Sequence, residues 1–214
     1  MKLLCEALES DLELLVEQSE EGEKLTFIEG IFMQADVVNR NRRRYKKNIL
    51  ESAVDKYINE QVRTNRAVGE LDHPPSPTVS MKEASHRIVD LRWEGNNVVG
   101  KALILDTPNG NTVKGLLKGG VQLGVSSRGM GSLMQQEDFS DVGEDFFLNT
   151  IDIVQDPSAQ NAFVNGLMES TEWYLNPEGV YVAKSIEENV ETERAISEDR
   201  MIKAMERFLS EISR

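Results

Sequence analysis

One cysteine and two histidines are all that 214 residues supply of the commonest soft metal ligands. Cys5 has no partner for an internal disulfide, and one thiol with two imidazoles cannot complete an ordinary zinc site without carboxylates. The chain therefore reads as one kept in a reducing compartment, with no metal and no cofactor. Long apolar runs are also missing. "MKLLCEALE" starts like a secretory leader, but Glu6 and Glu9 interrupt it, and no later stretch could span a bilayer. A membrane role is excluded on this reading, and a cytoplasm is the expected location. Positive charge is scarce as well: 24 Lys and Arg face 37 Asp and Glu, a formal net charge of −13. Nucleic acid and anionic lipid are poor partners for such a molecule as a whole, and protein or small-molecule partners suit it better.

What is present is a β-rich centre between two segments of helical period. Leu3, Leu4, Ala7, Leu8, Leu12 and Leu15 recur with helical spacing before the polar stretch "EQSEEGEK". Residues 1–24 thus read as an amphipathic helix on an acidic linker. Residues 186–214 read the same way, with Met201, Ile202, Met205, Phe208, Leu209 and Ile212 on one face. Between them, "LTFIEGIFMQADVV", "AVGEL", "VQLGVSS" and "DFFLNTIDIV" have the branched and aromatic composition of strands. Two alternating runs flank Glu94-Gly95-Asn96-Asn97, good chemistry for a hairpin. Ile49, Leu50, Ala53, Val54, Tyr57, Ile58 and Val62 fit one helix face, Thr107-Pro108 opens a second helix that Gly119-Gly120 closes, and a third is expected over 159–168. "EWYLNPEGVYVAK" reads as a turn between two extended runs. The fold class is α+β, with a central domain over 25–185.

Chemistry concentrates in a few places. "LGVSSRGMGS" sets Ser126 and Ser127 among glycines, but it lacks the Lys-Ser/Thr of a phosphate loop, the third glycine of a dinucleotide fingerprint and the single flanked serine of a nucleophile elbow. Its glycines are expected to shape a tight strand end that presents a serine to solvent. A serine nucleophile needs a base, usually histidine. His73, between Asp72 and Pro74, is rigidly framed; His86 merely begins an alternating strand. A histidine base needs a third group to hold its tautomer. Asp152 is the unusual carboxylate, since it stands inside the apolar run "TIDIVQDP", where an unpaired charge is costly to bury. Asp156 beside Pro157 is ordinary turn chemistry. The basic cluster "NRNRRRYKK" over 39–47 suits phosphate or an acidic protein.

Taken in order and spacing, "FIEGIFMQADVVNRNRRRY", "INEQV", "GELDHPP", "GVSSRG" and "DIVQDPSA" resemble the prohead core proteases of T4-like tailed bacteriophages, over roughly Leu25 to Val164. The resemblance implies a serine endopeptidase inside the assembling prohead, in the host cytoplasm. It would cut scaffold, core and capsid proteins after Glu in apolar-x-Glu sites, and then itself. It also implies a β-barrel-like core surrounded by helices, similar to the herpesvirus assembly protease, and allows a homo-oligomer. By motif, Ser126 would be the nucleophile with Ser127 as the alternative, His73 the base and Asp152 its orienting group. Backbone N–H groups of Ser158 and Ala159 are the candidate oxyanion donors. Triplets of the substrate type occur at Leu4-Cys5-Glu6, Leu15-Val16-Glu17, Leu167-Met168-Glu169, Ile186-Glu187-Glu188 and Leu209-Ser210-Glu211, so self-cleavage is expected to trim the ends first. The competing reading is a non-catalytic capsid-assembly or scaffold-interacting protein with a protease-like fold.

Overall fold

The computed structural model describes residues 1–8, 12–18, 24–74, 76–155, 171–177 and 179–185. The chain divides into two units, Met1–Glu169 and Ser170–Arg214. In the first, the elements run β1 (Lys2–Leu8), β2 (Glu13–Gln18), β3 (Lys24–Gln34), β4 (Arg43–Arg44), α1 (Lys47–Tyr57), a π-helical turn (Ile58–Val62), β5 (Val68–Glu70) and β6 (Ala84–Glu94). They continue as β7 (Asn97–Ile104), α2 (Pro108–Lys118), β8 (Gly124–Gly131), β9 (Leu133–Gln135), β10 (Ser140–Val142) and β11 (Phe147–Val154). The described part of the second unit is an antiparallel hairpin of β12 (Thr171–Leu175) and β13 (Tyr181–Ser185), as the turn chemistry of "LNPEG" predicts.

Local chemistry accounts for several of these elements. Thr107 Oγ1 accepts the Gly110 N–H at 3.1 Å and Pro108 occupies the first turn, which caps α2 at the expected place. Gly95, with φ of 64°, turns β6 into β7 so that Glu94 pairs with Asn97. Helix α1 buries Ile49, Leu50, Ala53, Val54 and Tyr57, the face its spacing predicts.

The first sheet has the order β2-β3-β7-β6-β5, antiparallel throughout. In the second, β8 lies between β11 and β1, antiparallel to both. Strands β4, β10 and β9 form a small third sheet. The two larger sheets meet along β5 and β11. A parallel bridge joins Leu71 to Ile153, the Asp72 N–H donates to Ile153 O at 2.8 Å, and Thr150 Oγ1 donates to Val68 O at 2.9 Å. The expected barrel-like core surrounded by helices is therefore corrected. Among the described residues the sheets stay open and are joined at this seam, with α1 and α2 as the only α-helices. Phe32, Ile88, Leu50, Val54, Ile151 and Ile153 belong to the hydrophobic core they enclose.

The expected N-terminal helix is also corrected: residues 2–8 and 13–18 are strands. All eight residues of β8 are buried, so the backbone groups on its edge away from β11 need a partner, and β1 supplies it from Lys2–Gly131 to Leu8–Val125. Leu3, Leu4, Cys5 and Glu6 are consecutively buried, which a strand covered on both faces permits and a one-stripe helix does not. β2 is an exposed edge strand on β3. Lys2–Leu8 and Glu13–Gln18 are thus strands of the sheets and not a helical tether. The helices expected over 159–168 and in the C-terminal segment lie outside the described residues, and among the described residues no helix is long and apolar enough to cross a membrane.

The basic cluster is largely neutralised from within. Arg43, 2% exposed, pairs with Glu6 at 2.8 Å, and Asn39, Asn41 and Tyr45 donate to the same carboxylate. Arg44 and Lys46 converge on Asp141 at 2.8 and 3.4 Å, and Lys47 caps Gly95 O at 2.9 Å. Six of the nine residues of this segment thus hold β1 and β10 in place.

Close packing at the seam leaves Gly69 no room for a side chain, since a Cβ there would overlap Ile151 O and the His86 ring. Gly69→Ala is expected to cost about 2 kcal/mol or more, read as a fall in the thermal midpoint. An unchanged midpoint would show that the two sheets approach less closely than described.

Candidate active site

β8 and β11 set the site by register. Asp152 pairs directly with Ser126, and Ile151 with Ser127. Because side chains alternate along a strand, Ser126, Arg128 and Asp152 share one face, and Ser127 belongs to the other. There Ser127 lines a cavity of about 270 Å³ with Glu6, Phe32, Tyr45 and Leu50. His73 arrives just beyond β5, after Asp72, whose φ of 64° turns the chain at the seam. The Asp72 N–H anchored on Ile153 O carries the next residue toward β11.

His73 Nδ1 lies 2.9 Å from Asp152 Oδ2. A carboxylate only accepts, so Nδ1 carries the proton and Nε2 is left as the acceptor. Nε2 is buried and has no hydrogen-bond partner, and the same is true of Ser126 Oγ. No hydrogen bond yet joins the two. The three side chains are closed off from solvent: Ser126 is 1% exposed, Asp152 0%, and the His73 side chain 3%.

Asp152 carries its charge with three kinds of support. Besides His73, the Glu70 N–H donates to Oδ1 at 3.0 Å, and Arg128 approaches both oxygens. Arg128 Nη2 is 3.3 Å from Oδ1, and Nε stands 2.9 Å from Oδ2 in ion-pair range without an aligned hydrogen bond. An unpaired carboxylate at this depth would cost several kcal/mol, about what removing a buried partner costs. The expectation that a charge inside "TIDIVQDP" must be paired is met.

The other histidine has a different setting. His86 Nε2 lies 2.9 Å from Ile151 O and Nδ1 2.8 Å from Ser85 Oγ. A carbonyl only accepts, so here Nε2 carries the proton and Nδ1 accepts from the serine hydroxyl. Burial first, against a smaller opposing pull from Asp152, lowers its pKa below 6.5 and keeps it neutral. Both ring nitrogens are engaged, so His86 serves the packing of the seam.

Two expectations about the serine loop change. Ser126 lies within the strand and is buried, not presented to solvent at a tight strand end, and β1 and β11 flank β8 on both edges. The glycines of β8 serve close approach: a Cβ at Gly129 would run into the Phe146 ring at 2.5 Å and Phe147 O at 2.6 Å. Ser158 and Ala159 lie outside the described residues. Glu70 and Arg128, which complete the surroundings of Asp152, were overlooked in the sequence although both stand within the quoted motifs; a charged residue inside a strand was the available signal. Among the described residues no group of three or more His, Cys, Asp or Glu side chains could hold a metal ion.

The two histidines of this chain should therefore show opposite neutral tautomers, Nδ1–H at His73 and Nε2–H at His86. Nitrogen-15 NMR of the histidine-labelled protein near pH 7.5 reads this directly, with His86→Gln for assignment. Two Nε2–H tautomers would contradict the His73–Asp152 pairing.

Comparison with known proteins bears on what this arrangement does. Residues 8–172 match the family described as prohead core protein serine protease. Over 142 residues the chain is 48% identical to the prohead core protein protease of Enterobacteria phage T4, covering 64% of this chain and 67% of that protein. In three dimensions it is similar to the bacteriophage T4 capsid assembly protease, with a TM-score of 0.70 and 40% identity, covering 73% of this chain and 98% of that one.

Proposed function

The chain belongs to the prohead core protein serine protease family, and from that premise we propose that it is a serine endopeptidase of phage prohead maturation. It acts inside the assembling prohead, cutting scaffold, core and capsid proteins after Glu in apolar-x-Glu sites, and then itself. The observation that carries this reading is the His73–Asp152 pair, with Nε2 unpartnered, beside a strand on which Ser126 stands opposite Asp152.

In this mechanism Ser126 Oγ attacks the scissile carbonyl carbon while its proton passes to His73 Nε2. The imidazolium that forms faces Asp152, which stabilises it without taking the proton. His73 then gives the proton to the departing amine, leaving an acyl-enzyme. Water, activated by the same Nε2, hydrolyses that ester and returns Ser126 to its hydroxyl form. Backbone N–H groups of Ser158 and Ala159 are the proposed oxyanion donors. Since Ser126 and His73 are closed off, a peptide reaches them only after the surrounding chain moves aside, which suits an enzyme that must stay quiet until its substrates are packaged.

Self-cleavage has a structural preference among the N-terminal triplets. Glu6 of Leu4-Cys5-Glu6 is buried and binds Arg43, so that site is unavailable in the folded chain. Leu15-Val16-Glu17 lies in the exposed edge strand β2 and is the accessible one of the pair. The other triplets lie outside the described residues.

The test is cleavage of a peptide with one apolar-x-Glu site, with fragments identified by mass spectrometry. Ser126→Ala and His73→Ala are each expected to lower kcat/KM by about 10³-fold or more, and Asp152→Asn severely, whereas Ser127→Ala should stay within about tenfold. Near-equal losses at the two serines would undo the assignment. A folded wild type that cuts nothing, alone or within proheads, would favour the non-catalytic assembly protein.

A further inference from the structure

Asp152 does not lie alone beneath the seam. Glu70 at the end of β5 and Arg128 in β8 are fully buried beside it. Their short ion pair, Arg128 Nη2 to Glu70 Oε2, sits against the carboxylate that orients His73. Resting on the protease reading above, we propose that Arg128, held by Glu70, is a positioning residue that keeps Asp152 ionised and clamps the His73 loop, thereby fixing the tautomer in which His73 accepts a proton.

The clamp is visible in the hydrogen bonds. Arg128 Nη1 donates to Ser76 O at 2.7 Å, three residues beyond His73. Glu70 Oε1 accepts the Ser80 N–H at 2.5 Å, while the Glu70 N–H donates to Asp152 Oδ1 at 3.0 Å. The segment from Glu70 to Ser80, which carries His73, is thus tied at its start to Asp152, in its middle to Arg128 and at its end back to the Glu70 side chain. Asn149 adds a further tie, donating to Pro77 O at 2.8 Å.

Charge balance gives Arg128 its second task. Two carboxylates and one guanidinium leave a single negative charge in the buried set, and protonation of His73 brings the set to neutrality. Without Arg128, two carboxylates would be left side by side in a dry site and would share a proton, as paired buried carboxyls do. A proton on Asp152 Oδ2 would make that oxygen a donor to His73 Nδ1 and so favour the wrong tautomer, Nε2–H.

Other groups around the set are neutral or paired. Cys5 of β1 stands opposite Arg128, and burial first, then Asp152, pushes its thiol up to about 12. Burial raises the Tyr57 phenol of α1 and lowers His86 of β6. Glu6 of β1 is paired with Arg43. None of these can replace the charge of Arg128.

The experiment measures kcat and KM against pH for wild type, Arg128→Lys, Arg128→Met and Arg128→Met/Glu70→Gln, with the His73 tautomer read by nitrogen-15 NMR in each. Arg128→Met should lower kcat at pH 7 by about 100-fold with little change in KM, the size of loss that misplaced general-base geometry produces. Its activity should recover with rising pH, the acid-limb midpoint moving up by about one unit or more, and its His73 should lose the Nδ1–H form. Arg128→Lys keeps the charge without the fork, so its midpoint and tautomer should stay near wild type. The double variant removes the competing carboxylate and should restore both, and it serves as the folded control if Arg128→Met alone fails to fold. Equal losses in Lys and Met variants with unmoved midpoints and wild-type tautomers would reduce Arg128 to a structural residue and overturn the proposal. A wild type without peptidase activity would fail the protease reading instead, while the tautomers would still decide the positioning claim.

Discussion

A carboxylate with no access to water must be surrounded by donors, and the centre of this molecule is organised by that requirement. Asp152 draws in His73 from the loop after β5, the Glu70 N–H from β5 itself and Arg128 from β8. These three come from both sheets, so satisfying one charge also fixes how the sheets join. The parallel bridge Leu71–Ile153 and the Thr150–Val68 hydrogen bond lie on the same seam. Stability and site geometry are therefore one problem here: what loosens the seam also misplaces His73.

The same economy appears around Glu6. Its carboxylate is covered by Arg43, Asn39, Asn41 and Tyr45, which turns much of the basic segment into an internal brace for β1. With β1 in place, β8 is flanked on both edges and Ser126 cannot shift in register. A one-residue slip would exchange Ser126 for Ser127 on the face of Asp152. The buried pairs on either side of β8 thus protect the choice of serine.

Much of this was legible in the residues. The face of α1, the Thr107 cap of α2, the Gly95 hairpin and the β12–β13 hairpin rest on local chemistry and appear where that chemistry predicts. Asp152 was legible because a lone charge in an apolar run demands partners. The first strand was not. Leu3, Leu4, Ala7 and Leu8 repeat with helical spacing, and only the unpaired edge of β8, distant in sequence, makes them a strand. Arg128 and Glu70 were missed for a related reason: their meaning depends on the β8–β11 register and on where β5 ends, neither of which is encoded within a short motif. The closed setting of Ser126 likewise follows from strands on either side and not from the glycines next to it.

The choice of nucleophile within that register is the point on which the catalytic reading turns. The most direct measurement is covalent capture with a serine-directed fluorophosphonate, followed by mapping of the modified peptide by mass spectrometry, for wild type and His73→Ala. A single adduct on Ser126 that disappears without His73 is the expected result. An adduct on Ser127, or labelling of Ser126 that persists undiminished in His73→Ala, would contradict it.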